Sequence, residues 1–200
     1  MQIAILGVGN IGATMGKKWA NAGHPVVFGA RDANSPKAQA LRQAFPSAKI
    51  DSVDNALVNA DVILVATPHS TVAAIAKQHA AAFAGRIVID ATNNFGSPVV
   101  NNLAAIQSAA PTAHVFRAFN SLGWEIFAHP IYNGQAVEHF YCGPDDLNRP
   151  TVDKLIAEIG VRPVWVGGNE MIHVVDALGS LWVTLVFQRG YPRNLALKLL

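Results

Sequence analysis

Apolar and polar residues alternate in blocks along the chain, and the blocks predict a repeated strand–helix pattern. Short apolar runs are typical of strands buried on both faces of a parallel sheet, and stretches of helical length separate them. This alternation favours βαβ units around one parallel sheet. The predicted strands cover residues 2–6, 26 to about 30, 48–50, 61–66, 86–91 and 114–119. The first predicted helix ends at residue 22, and the others cover residues 36–44, 51–60, 71–83 and 100–109.

The last third of the chain predicts further elements of both kinds. We expect strands over 138–142 and 162–166, a helix over 149–159 and a long terminal helix over 169–188. The fold class is therefore α/β, a Rossmann-like, doubly wound and mostly parallel sheet with a small C-terminal extension of helix and strand. We expect a single domain over 1–200, with residues 138–200 forming a small lobe continuous with it.

The terminal helix is the most apolar late segment of the chain. Its apolar run, Met171 to Phe187, is interrupted by His173 and Asp176 and flanked by short polar turns. A membrane span needs about 20 apolar residues, so we predict a buried helix instead.

Composition narrows the classes of function. Hydrophobic residues make up 51% of the chain and charged residues 14%, a low charge content that favours apolar surface buried between subunits, as in a homodimer. The net charge of +2 is too small and scattered for nucleic-acid binding. The single cysteine, Cys142, and the absence of a visible signal peptide predict a cytoplasmic protein with no membrane partner. The seven histidines are dispersed, so we expect no metal site.

The first chemical motif is a glycine-rich turn between the first strand and the first helix. Gly7 permits a tight turn, Gly9 lets the backbone approach a pyrophosphate, and Gly12 lets the helix and strand pack closely. The phosphates would lie at a helix N-terminus, where unpaired N–H groups favour an anion. The motif predicts a dinucleotide site formed by Gly7, Val8, Gly9, Asn10, Ile11 and Gly12.

The end of the second strand indicates which dinucleotide binds. NAD-specific sites place a carboxylate there on the ribose 2′-hydroxyl, whereas this chain has the small Ala30 followed by Arg31. A guanidinium pairs with a 2′-phosphate and stacks on adenine, so we predict NADP. Asp32 reverses that preference if the strand ends one or two residues later than expected.

Three further loops follow predicted strands, at the edge of the sheet where open α/β folds bind their ligands. Thr67, Pro68 and His69 should line the cofactor, with the Thr67 hydroxyl or backbone on a ribose. Asn93 and Asn120 occupy equivalent strand-end positions, near where a nicotinamide carboxamide is held. Each of these residues also fits an ordinary loop position, His69 as a solvated side chain and the asparagines as turn residues. No nucleophile motif is present, and a hydride transfer needs none.

The glycine turn, the Gly29-Ala30-Arg31 segment, the run Val115 to Gly123 and the closing Leu178 to Leu200 resemble the coenzyme F420-dependent NADP oxidoreductase family. The same module is similar to the cytoplasmic domain of ferric reductases of the six-transmembrane epithelial type. The first resemblance implies hydride transfer between NADPH and a deazaflavin, and an acidic F420 tail contacted by basic residues. Candidates for that contact are Arg189, Arg193 and Lys198, which also fit solubilising charges.

The sequence therefore predicts an NADP-dependent oxidoreductase with F420 or a flavin-like molecule as co-substrate. Two alternatives stay open, a reductase acting on another small acceptor and an NADP-binding sensor or partner-binding module without catalysis. Dehydrogenases with a large helical substrate domain share the glycine turn, but only residues 168–200 follow the last predicted strand.

Overall fold

The computed structural model describes residues 1–199, and its centre is a six-stranded sheet in which every strand is parallel to its neighbours. The strand order is β3-β2-β1-β4-β5-β6, the order of a doubly wound dinucleotide-binding sheet. The predicted fold class is thereby confirmed. The strands are β1 Ile3–Leu6, β2 Val26–Gly29, β3 Lys49–Asp51, β4 Val62–Val65, β5 Ile87–Asp90 and β6 His114–Arg117.

Helices cover both faces of this sheet, which is why its central strands are apolar throughout. Alternate residues of β1 belong to two separate core clusters, Ile3 and Ile5 to one and Ala4 and Leu6 to the other. All four side chains are fully buried. The helices between the strands are α1 Asn10–Asn21, α2 Pro36–Ala44, α3 Val53–Leu57, α4 Val72–Gln78, α5 Ala80–Phe83 and α6 Leu103–Ala109.

The sequence indicates several helix ends correctly. Helix α2 begins at Pro36, and the Ser35 side chain accepts a hydrogen bond from the Ala38 N–H, as expected of a cap. The single helix predicted over 71–83 is wrong, because His79 leaves helical geometry (φ −114°, ψ 26°) and divides it into α4 and α5. The strand predicted over 114–119 ends earlier, since Phe119 has a φ of +61° and cannot continue it.

The small C-terminal lobe contains a second, two-stranded parallel sheet. Strands β9 (Glu138–Tyr141) and β10 (Arg162–Trp165) pair through the crossover helix α8 (Arg149–Ile159), as predicted. A backbone bridge between Arg117 and Cys142 connects this sheet to β6. Two elements that precede this sheet were not predicted. They are the short helix α7 (Trp124–Ala128) and a hairpin of β7 (Ile131–Tyr132) and β8 (Gln135–Ala136).

The terminal helical segment, Asn169–Gln188, differs from expectation in its burial. It consists of a 3-10 turn, helix α9 (Ile172–Val183) and a π-helical turn. The predicted buried helix is wrong: only 28% of its apolar window is buried, because one flank packs on the protein and the other is uncovered. By length and composition alone, this segment is long and apolar enough to cross a membrane. Leu200, the last residue of the matching C-terminal run, lies outside the described residues.

Candidate active site

The glycine turn lies between β1 and α1, at the edge where the parallel strands of the main sheet end; we call this edge the carboxyl edge. Gly7 has a φ of +116°, and a Cβ there would lie 2.5 Å from the Ala66 carbonyl oxygen. Its N–H donates to the Gly29 carbonyl at 2.9 Å. Only glycine fits this position, which brings the turn against the ends of β2 and β4.

The N-terminus of α1 has the properties of an anion site. No side chain caps it at Gly9, and its first turn holds no acidic residue. A Cβ added at Gly9 would meet nothing within 4 Å, whereas one at Gly12 would lie 2.5 Å from the Gly7 carbonyl oxygen. The turn is therefore closed on its inner side and open above Gly9, and its first-turn N–H groups lack a capping side chain. These properties fit the pyrophosphate of a dinucleotide.

The second strand ends just before Ala30, near which its end was predicted. Strand β2 stops at Gly29, and the Ala30 N–H donates to the Asp51 carbonyl at 2.9 Å. Ala30 is buried and Arg31 is exposed. The Asp32 carboxylate accepts a hydrogen bond from the Asn34 N–H at 2.8 Å, so it is occupied in a local turn. This geometry leaves Arg31 as the side chain that follows the strand into solvent.

The loop after β4 is fixed by contacts with the loop that precedes α6. The His69 ring is 3.1 Å from the Asn101 carbonyl oxygen, and the His69 carbonyl accepts from the Asn102 side chain at 3.2 Å. Pro68 is exposed. The Thr67 hydroxyl is buried and has no hydrogen-bond partner in the described part of the chain. The His69 side chain is therefore partly exposed and contacts a neighbouring loop.

The two asparagines that follow β5 and β6 contact one another. The Asn93 amide donates to the Asn120 carbonyl at 2.9 Å, and its oxygen accepts from Arg117 at 2.7 Å. Both polar atoms of the Asn93 side chain are thus engaged within the protein. Asn120 is buried, and within residues 1–199 its side-chain oxygen has no partner. The structure therefore brings the two residues together and leaves the buried side-chain oxygen of Asn120 as an acceptor without a partner in the described residues.

The side chains beneath these loops form a charged cluster that the sequence analysis missed, made of Asp90, Arg117 and Asp176. Asp90 ends β5, Arg117 ends β6 and Asp176 lies on α9; their exposed fractions are 0%, 0% and 8%. The guanidinium Nε of Arg117 donates to Asp176 at 2.8 Å. Charged residues are rarely buried this completely. Each interrupts an apolar run, which is the signal in the sequence that marks them.

Two of the three basic residues near the C-terminus, Arg193 and Lys198, contact acidic residues of the protein. Arg193 pairs with Glu125 and stacks on Trp182, with the guanidinium carbon 5.4 Å from the ring centroid. The ammonium group of Lys198 lies 3.6 Å from the buried Glu138. These two side chains therefore fix the terminal segment to the protein. No group of three or more possible metal ligands occurs in the described residues.

Comparison with known proteins finds similarity to NADP-dependent oxidoreductases. Residues 2–94 match the family model described as NADP oxidoreductase, coenzyme F420-dependent. Metalloreductase STEAP3 of Rattus norvegicus is 26% identical over 186 residues, which are 88% of this chain and 36% of that protein. This chain thus spans about a third of that curated relative.

Solved structures share the fold. A proposed F420-dependent NADP-reductase from Arthrobacter sp. FB24 superposes with a TM-score of 0.85 and 24% identity, over 100% of this chain and 99% of that one. A hypothetical protein from Sinorhizobium meliloti has a TM-score of 0.71 and 26% identity, with 98% and 95% coverage. A pyrroline-5-carboxylate reductase from Coxiella burnetii has a TM-score of 0.67 and 12% identity, over 94% of this chain and 67% of that one. Residues 2–94 therefore carry the sequence pattern of the F420-dependent NADP oxidoreductases, as the motifs predicted, and the chain has the fold of NADP-dependent reductases.

Proposed function

We propose that this protein is an NADP(H)-dependent oxidoreductase that transfers a hydride between NADPH and a deazaflavin (F420) or flavin-like acceptor. The observation that carries the proposal is the uncapped N-terminus of α1 with open space above Gly9, in a chain whose residues 2–94 match that family. Bound NADPH supplies the hydride. The chain's own residues bind its phosphates, orient its two halves and exclude water from the reacting carbons.

The adenosine half is assigned to the end of β2. Ala30 leaves room beside the ribose, and the exposed Arg31 guanidinium matches a 2′-phosphate in charge and planar geometry. Asp32 is held by Asn34, which removes the carboxylate that would favour NAD. The phosphates lie on Val8, Gly9, Asn10, Ile11 and Gly12.

The nicotinamide half is assigned to the loops after β4, β5 and β6. Two buried oxygens there, on Thr67 and Asn120, lack partners in the described residues. Buried polar atoms are nearly always hydrogen-bonded, so a ribose hydroxyl and a carboxamide N–H of the cofactor are suitable partners. Pro68, His69 and Asn93 shape the surrounding loops, with Asn93 contributing through its backbone.

Purified protein mixed anaerobically with NADPH and F420, FMN or FAD tests the acceptor assignment. We expect NADPH absorbance to fall with at least one of the three acceptors. Turnover only with a cyclic imine, offered as a further acceptor, would favour the second candidate, a reductase of another small acceptor. The shared fold with pyrroline-5-carboxylate and imine reductases supports that candidate. NADPH binding without turnover on any acceptor would favour the sensor.

Replacement of Arg31 tests the choice of cofactor. Arg31→Ala should weaken NADPH binding about tenfold or more and NADH binding far less, because NADPH loses the ion pair with its 2′-phosphate whereas NADH loses only stacking on adenine. Arg86→Ala removes another exposed arginine, at the opposite edge of the sheet beside the start of β5, and should change neither. Equal losses for NADPH and NADH in Arg31→Ala would refute the assignment. The two affinities are measured by calorimetric titration.

We further propose a cytoplasmic homodimer formed through the terminal helical segment. That segment is apolar yet only 28% buried, and a second copy of the chain offers an equally apolar surface. Cys142 is free and buried, which fits a reducing compartment. Leu181→Glu should convert the dimer to a monomer in analytical ultracentrifugation; an unchanged sedimentation coefficient would exclude this interface. Exposed apolar side chains of this surface include Leu181, Phe187, Tyr191, Leu197 and Leu199.

A further inference from the structure

The charged cluster unites three segments that are distant in sequence. Arg117 donates from Nε to Asp176 at 2.8 Å, and its terminal nitrogens lie 2.8 Å from Asp176 and 3.4 Å from Asp90. The same guanidinium also donates to the Asn93 side chain and to the main-chain carbonyls of Asp90 and Thr92. Arg117 therefore fixes the loop after β5 directly, with all of its donors satisfied inside the protein.

The two carboxylates are fully hydrogen-bonded as well. Asp90 accepts from the N–H and hydroxyl of Thr92 and from the N–H of Asn102, at 2.6 to 2.9 Å. Asp176 accepts from Asn101 at 2.7 Å besides Arg117. These bonds suit carboxylates in their ionised form, which accepts and does not donate. Two carboxylates against one guanidinium give the cluster a formal charge of −1.

The neighbouring buried groups do not cancel that charge. Those that bond to it in the described residues are neutral amides, a neutral hydroxyl and backbone groups. Burial raises the pKa of the adjacent Cys142 thiol to about 12, with Asp176 and Glu170 adding to the effect and Arg117 opposing it, so that thiol is neutral. Glu170 brings a further negative charge to the same region.

The position of the cluster relates it to one half of the cofactor. This step rests on the proposed function. In a sheet of order 3-2-1-4-5-6 the pyrophosphate crosses at the first helix and the adenosine ribose lies at the second strand, so the other half extends over β4, β5 and β6. Asp90 and Arg117 are the last residues of β5 and β6.

We infer that the charged cluster sets the redox preference of the bound cofactor, and that Asp176 is a positioning residue that supplies its excess negative charge. The nicotinamide ring is positively charged in NADP⁺ and neutral in NADPH. A fixed negative charge in a low-dielectric environment therefore stabilises the oxidised form more than the reduced form. Tighter binding of NADP⁺ than of NADPH lowers the potential of the bound pair, which makes bound NADPH a stronger hydride donor.

Two substitutions at Asp176 separate charge from geometry. Asp176→Asn keeps an oxygen that accepts from Arg117 but removes the charge, and Asp176→Glu keeps the charge but lengthens the side chain. We expect Asp176→Asn to raise the ratio of the NADP⁺ to the NADPH dissociation constant about fivefold. Asp176→Glu should leave that ratio unchanged, even where both affinities fall. Calorimetric titration of each variant with NADP⁺ and with NADPH measures the ratio.

Glu138→Gln is the matched control. Glu138 is also a buried carboxylate paired with an arginine, Arg162 at 2.6 Å, but it belongs to the second sheet. The Glu138→Gln substitution should lower the free energy of unfolding and leave the ratio of the NADP⁺ to the NADPH dissociation constant unchanged. If Asp176→Asn yields no folded protein, Asp90→Asn, which removes the other carboxylate, should give the same shift.

The outcomes distinguish this inference from the proposed function. Equal weakening of NADP⁺ and NADPH binding in Asp176→Asn overturns the inference, because a purely structural role predicts that result. An equal shift of the dissociation-constant ratio in Glu138→Gln also overturns it, because a nonspecific effect of charge predicts that result. The proposed function fails instead when the unaltered protein binds neither cofactor.

Discussion

The glycine turn and the charged cluster lie on the same carboxyl edge of the sheet but are built from different materials. The turn is made of backbone: Gly7 and Gly12 approach neighbouring carbonyls closely, there is open space above Gly9, and no side chain caps the helix that follows it. The cluster is made of buried side chains that bond to one another and to the loops around them. The turn therefore offers unused hydrogen-bond capacity to a ligand, whereas the cluster offers a fixed electric field and rigid loops.

The two regions therefore respond differently to amino-acid substitution. A site made of backbone depends on the free space around it, so a single added methyl group changes either its stability or its affinity for a ligand. A buried ionic site depends on pairing, because removal of one partner leaves another charge in a low-dielectric environment. The two regions should consequently fail in different ways, and the following experiments test that contrast.

Removal of the cation from the charged cluster should have the largest effect. Arg117→Met leaves Asp90 and Asp176 buried without their guanidinium, and should lower the free energy of unfolding by about 3–5 kcal/mol. Arg149→Met removes a partly exposed arginine paired with Asp145, and should cost about 1 kcal/mol or less. Urea unfolding measures both. Similar losses for the two variants would show that the buried pairing contributes no special stability.

A pair of alanine substitutions in the glycine turn should separate folding from binding. Gly12→Ala places a Cβ 2.5 Å from the Gly7 carbonyl oxygen and should destabilise the fold by about 1–3 kcal/mol. Gly9→Ala meets no protein atom within 4 Å, so stability should change by less than about 0.5 kcal/mol. Its methyl group, however, occupies the approach to the pyrophosphate, and NADPH affinity should fall. Unchanged NADPH affinity in Gly9→Ala would place the phosphates elsewhere.

A third prediction concerns acid stability and the loop that carries Asn120. The His139 ring accepts the Phe119 N–H at 2.7 Å and stacks on the Phe119 ring, which supports the positive φ of that residue. Burial lowers the pKa of His139 from 6.5 to about 3, so the folded protein holds this ring neutral. Its stabilising contribution is complete above pH 6.5 and is lost as pH falls from 6.5 towards 3.

The free energy of unfolding should therefore fall by up to about 1.4 kcal/mol per pH unit as the pH falls from 6.5 towards 3. His139→Gln retains an acceptor for the Phe119 N–H without a titrating ring, and should give a flatter dependence. Denaturant midpoints measured from about pH 7 to about pH 5 test this difference. Parallel curves for the two proteins would assign the acid sensitivity to other groups.

The sequence alone predicts the strands and helix of the first βαβ unit well, because their signals are local. The apolar run of β1, the glycine spacing, and Arg31 directly after β2 all fall within one βαβ unit, where spacing dictates geometry. The same holds for α2, with Ser35 and Pro36 at its start, and for α8.

The remainder depends on contacts that no local pattern reveals. The pairing of Arg117 with Asp90 and Asp176 joins residues separated by 27 or more positions, so the sequence shows three isolated charges in apolar runs but not their partners. The terminal helix is misjudged for a related reason. Its apolar composition indicates burial, but the described chain covers only one flank, and periodicity cannot identify a covering surface outside the domain.

The bridge from Asp90 through Arg117 to Asp176 also has a consequence for the order of folding. Protein synthesis delivers the N-terminal segments first, so β1 to β4 and the glycine turn are available to fold long before α9 leaves the ribosome. Arg117 gains its Asp176 partner only after the segment that follows β10 has emerged. We therefore expect the glycine turn to form early and the loops after β5 and β6 to become rigid later, once Asp176 is available.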